Sequence, residues 1–68
     1  MAAELQPHQK RVMDEKLDLD LKIMALTSFI QSSNVFSGLP EPERMRLYAQ
    51  RRVMAEYSTI LGERIAAF

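Results

Sequence analysis

Leu5, Val12, Leu19 and Leu26 recur every seven residues, and Ile23 and Ile30 add the neighbouring row. That spacing draws one apolar seam along a helix. Pro7 to Ser32 is a run of strong helix formers with no internal breaker, and Pro7 suits a first turn, where its missing N–H leaves nothing unpaired. The pattern predicts a first helix over about residues 7–32. Met13, Leu17, Leu21 and Met24 make a second apolar row. A two-helix hairpin needs only one seam, so this extra width predicts contacts between chains as well as within one.

Ser32-Ser33-Asn34-Val35-Phe36-Ser37-Gly38-Leu39 has the composition that stops a helix and turns a chain, with Asn34 or Gly38 able to take positive φ. A loop over 33–40 is expected, its Phe36 and Leu39 plugging the hairpin end. Pro40 and Pro42 can open a second helix over about 41–66, with Glu41 and Glu43 where the helix dipole favours negative charge. Its seam reads Leu47, Met54, Leu61 and Phe68, with Gln50, Tyr57 and Arg64 three residues after the first three of these. Polar groups are therefore expected in or beside that seam. Nothing reads as strand. The expected fold is all-α: one domain over 1–68, an antiparallel two-helix hairpin that assembles into a helical homo-oligomer. In such a hairpin, residues whose numbers sum to the mid-seventies share a height, which sets Lys16 level with the turn from Tyr57 to Leu61.

Composition narrows the chemistry. A chain of 68 residues and 7.8 kDa has room for one small core and no enclosed cleft, which argues against a self-contained enzyme. Below roughly 70–80 residues one core seldom supplies more than about 3–5 kcal/mol. There is no cysteine and one histidine, so disulfides and thiolate zinc sites are excluded, and no metal or other cofactor is expected. Oligomerisation is the remaining source of stability. Nine Lys and Arg balance nine Asp and Glu, and the pI is ≈ 6.6, so no global field draws the chain to duplex DNA or an anionic membrane. Arg44, Arg46, Arg51 and Arg52 spread around their helix rather than forming one duplex-binding stripe. The uncharged stretch between Lys22 and Glu41 is too polar to span a bilayer, and the N-terminal residues show no secretory or lipidation motif. A cytoplasmic location is expected.

Four residues are candidates for binding. Lys16 occupies the row of Ile23 and Ile30, where a bundle ordinarily wants an apolar group. Its ammonium must snorkel, pair with an acid such as Glu56 or Glu63, or meet an anionic ligand. Arg64 lies in the last turn, where it either complements the helix dipole, worth roughly 0.3–1 kcal/mol, or contacts an anion. Tyr57 is a core tyrosine or a platform for a base. His8 has no second histidine and no nucleophile at a diagnostic spacing, so a catalytic triad is unsupported. Asp14, Asp18 and Asp20 lack the glycine and terminal glutamate of a calcium loop and read as a solvated face.

The segment from Pro7 to Lys16, then Leu19, Ile23, Leu26, Phe29-Ile30, Met54, Tyr57 and Leu61-Gly62-Glu63-Arg64-Ile65-Ala66-Ala67-Phe68, resembles a family of very short phage-encoded proteins related to a crAss-like phage protein. The pattern in turn is similar to the helical hairpin of anti-CBASS and anti-Thoeris phage sponges, which withhold cyclic nucleotide alarms from host effectors. The resemblance implies an oligomer of hairpins, typically a hexamer, in the host bacterial cytoplasm, with pockets for a cyclic nucleotide or cyclic ADP-ribose-type signal between protomers. It matches Lys16 to a phosphate-contacting lysine and Arg64 to an arginine of the last turn. The aromatic residue that sponges of the anti-CBASS type carry upstream of that lysine has no counterpart; only His8 lies there. The alternative is a hairpin that docks on a host or virion protein and uses its charges for solubility alone.

Overall fold

The computed structural model describes residues 4–68. Helix α1 (Pro7–Ser32) begins with Pro7 in its first turn, and the Gln9 side chain accepts the Gln6 N–H at 2.9 Å. Ser33 then leaves the helical region at φ −88°, ψ 130°, and its hydroxyl accepts the Val35 N–H at 3.1 Å, capping the one-turn helix α2 (Asn34–Ser37). Helix α3 (Glu41–Ala66) starts on Pro40, with Glu41 and Glu43 in its first turn and Arg64 in its last. The Arg44 guanidinium donates to the Ser37 carbonyl at 3.2 Å and ties the start of α3 to α2. No strand occurs among the described residues.

The tip differs from expectation. It is a helical turn rather than an irregular loop, and neither Asn34 nor Gly38 takes positive φ; Gly38 sits at φ −89°, ψ −5°. The physical reason is that the chain reverses in two steps, an extended Ser33 followed by a capped turn, neither of which needs left-handed backbone. Phe36 is buried there, edge-on to Phe29 at 5.9 Å and to Tyr48 at 5.5 Å, so it does plug the end of the hairpin. Leu39 is half-buried.

The two long helices pack into a rod of 53 × 16 × 15 Å. Their contact uses an alternation of three and four residues: Val12, Lys16, Leu19, Ile23, Leu26 and Ile30 on α1, and Leu47, Arg51, Met54, Ser58, Leu61 and Ile65 on α3. Val12, Leu19 and Leu61 are the buried centre, flanked by Ile23, Met54 and Ile65. Leu5 precedes the first helical turn and stays exposed, so the seam loses its first expected member. The second apolar row is uncovered in the single chain: Leu17 is 63% exposed and Met24 67%.

Leu61 is 0% exposed, so Leu61→Ala should lower folding stability by about 2–5 kcal/mol in denaturant melts at fixed protein concentration. Val35→Ala, on the exposed side of α2, should change it by less than about 0.5 kcal/mol.

Candidate functional site

Midway along the hairpin the apolar seam is interrupted by a closed triangle of polar groups. The Lys16 ammonium donates to Asp20 Oδ2 at 2.8 Å and to Ser58 Oγ at 3.0 Å, and the Ser58 hydroxyl donates to Asp20 Oδ1. Asp20 reaches Lys16 because it lies four residues on, where helical side chains meet, and Ser58 reaches both because α3 brings it to the same height. Gly62 lies beside the lysine stem: a Cβ there would be 3.4 Å from Lys16 Cε, an ordinary contact. Ser58 is buried and fully partnered, and no buried side-chain polar atom among the described residues lacks a hydrogen bond.

Lys16 thus pairs with an acid, and that acid is Asp20 rather than Glu56 or Glu63, both of which are exposed on α3. Asp20 correspondingly leaves the solvated acidic face, on which Asp14 and Asp18 remain, Asp18 with Lys22 at 3.1 Å. The Lys16 ammonium first, and the Ser58 hydroxyl second, hold the Asp20 carboxyl below its ordinary value of 3.8 against the opposing pull of desolvation. The ammonium has three N–H groups, so one remains for water or a ligand.

The other candidates lie elsewhere. At about 100° per residue, Tyr57 and Arg64 fall on the flank of the hairpin opposite the one marked by Asp20 and Gly62. His8, exposed in the first turn of α1, falls on the same flank as Tyr57 and Arg64. Within one chain the structure therefore places Tyr57 level with Lys16 but on the other side, and it brings His8, Tyr57 and Arg64, not Lys16, to one flank. Tyr57 is 41% exposed, and the Arg64 guanidinium makes no ion pair among the described residues. Val53 and Ile60 share their stripe, so α3 carries an outward row in which apolar groups alternate with a ring and a cation.

In the sequence Asp20 reads as part of a solvated face and neither Ser58 nor Gly62 reads as a site residue, although a signal for Ser58 exists. On α1 the inner row follows the leucine repeat by four residues, giving Lys16, Ile23 and Ile30. The same step of four on α3 gives Arg51, Ser58 and Ile65, whereas the step of three selects Gln50, Tyr57 and Arg64, which face outward.

Among the described residues the single hairpin encloses no pocket, holds no cluster of metal-ligating groups, and has no helix long and apolar enough to cross a membrane. The fold and its polar centre define a small helical hairpin whose uncommitted groups lie on its outer rows. The chain belongs to the Sequestin family, which it matches over residues 6–67, and the family's name fits a sequestering protein. No curated protein and no solved structure matches the chain.

The triangle makes stability depend on pH with a definite sign. Because the folded-state value of Asp20 is depressed, its contribution is present above the ordinary value of 3.8 and is lost as the pH falls through the lowered one. In melts between pH 7 and 2, Asp20→Asn should begin with a lower midpoint than the wild type and lose less of it on acidification.

Proposed function

We propose that this protein sequesters an anionic nucleotide signal, a cyclic nucleotide or a cyclic ADP-ribose-type molecule, by binding without turnover. It acts in this reading as a homo-oligomer of hairpins, a hexamer by the resemblance noted above, in the cytoplasm of a phage-infected bacterium. The observation that carries the reading is the outward row of α3, where an exposed tyrosine ring and an unpaired guanidinium lie seven residues apart. That is about 10 Å along the axis, two turns of helix. A ring for a base and a planar fork for a phosphate are the two contacts a nucleotide needs.

The family supports the sequestering part of the reading. Lys16 contributes in a more limited way than a free cation would, because Asp20 offsets its charge; it supplies its third N–H to the ligand. His8 lies on the flank of Tyr57 and Arg64 and can donate from either ring nitrogen. No nucleophile sits beside a general base here, and sequestration requires none: affinity and stoichiometry suffice, and groups held on rigid helices serve both. The uncovered row of Met13, Leu17, Leu21 and Met24 is what favours the second reading, a hairpin docked on a host or virion protein.

Calorimetry against a panel of cyclic di- and trinucleotides and cyclic ADP-ribose isomers separates the two. A ligand should bind the wild type, and Arg64→Ala should weaken it at least tenfold, from the loss of a charge-assisted contact of roughly 1.5–3 kcal/mol; Lys16→Ala should weaken it as well, by the lost contact together with the broken triangle to Asp20 and Ser58. Tyr57→Ala should cost about 1–3 kcal/mol of stacking, and the exposed Lys10→Ala nothing measurable. Helix content should be unchanged throughout. If no member of the panel binds, or if the three site variants bind as well as the wild type, the docking hairpin becomes the better account.

A further inference from the structure

We infer that hairpins associate head to tail, the outer row of α1 in one copy packing on the outer row of α3 in the next, with all hairpins pointing the same way. The inference rests on the homo-oligomer in the reading above and specifies how its copies meet.

Three observations carry it. The first is placement. Leu17 and Met24 lie on the flank marked by Asp20, whereas Val53, Tyr57 and Ile60 lie on the opposite flank, and all five are exposed. One two-fold contact between like faces would cover one row and leave the other in water. A contact between unlike faces covers both when it repeats around a ring.

The second observation is height. Within the hairpin, groups that touch have residue numbers summing to the mid or upper seventies: Lys16 with Ser58, Asp20 with Ser58, and the Lys16 stem with Gly62. Copies related by rotation about an axis along the rod keep those heights. Leu17 then meets Ile60 and Met24 meets Val53, so apolar groups oppose apolar groups at both levels.

The third is charge. The α1 row is edged by Asp14, and the α3 row contains Arg64 at the same height, whereas Asp20 is already paired with Lys16. The Asp14–Arg64 pair lies at the solvent edge, where such pairs hold little, so it orients the copies and leaves the guanidinium accessible.

The test needs only mass measurements. Leu17→Lys blocks the α1 row and Ile60→Lys the α3 row. Each variant alone should sediment as a monomer of about 7.8 kDa. An equimolar mixture should form a complex of twice that mass and go no further, because one of its two contacts is intact and the other opposes two lysines. Should either variant lose its helical circular dichroism, cysteines answer the same question in a chain that has none of its own. Under mild oxidation Leu17→Cys mixed with Ile60→Cys should cross-link, while each alone should not. Self-dimers of either lysine variant, a mixture that stays monomeric, or single-cysteine variants that cross-link to themselves would each overturn the inference. If the wild type is an oligomer while these outcomes occur, only the geometry of the contact fails. A wild type that is itself monomeric at high concentration removes the oligomer from the functional reading too.

Discussion

A cation placed inside an apolar seam has few ways to exist, and the Lys16 ammonium takes the most constraining of them. It is held by an acid on its own helix and a hydroxyl on the other, and that acid and hydroxyl also bond to each other. Sliding α3 by one turn would leave the Lys16–Asp20 pair on α1 intact but carry Ser58 out of reach, breaking both hydrogen bonds that join the helices here. The triangle therefore acts as a register pin, as single polar residues do in coiled coils. Gly62 packs beside the same lysine stem. The heights of every other residue on the two helices follow from that alignment.

What the pin does not supply is bulk. Val12, Leu19, Phe36 and Leu61 are the buried apolar residues of the described chain, and Phe36 belongs to the tip rather than the middle. So slender a core sits beside two outer rows of comparable apolar content, and covering them would stabilise the fold by mass action as well as by contact. Folding and assembly are in this view parts of one equilibrium.

The fold was open to reading because a repeat of seven in leucines and methionines admits few alternatives to paired helices, and because breakers cluster between Ser32 and Pro42. The polar centre was harder. Choosing Asp20 over Glu56 or Glu63 as the partner of Lys16 requires the directions in which three helical faces point, and a one-residue difference in the step from the α3 leucines turns Ser58 into Tyr57. The aspartates looked alike in sequence because composition does not distinguish the one that borders a seam from those that border water. The exposure of Tyr57 and Arg64 comes from the same step: rows three and four residues from a repeat diverge to opposite sides of the helix-helix contact.

The tip has a consequence for substitution. Every described residue keeps negative φ, and a Cβ added at Gly38 would meet nothing closer than the Val35 carbonyl at 3.6 Å. The turn thus demands a hydroxyl cap and a buried ring rather than a glycine. Gly38→Ala would therefore leave the reversal of the chain intact, whereas loss of the Ser33 hydroxyl or the Phe36 ring would not.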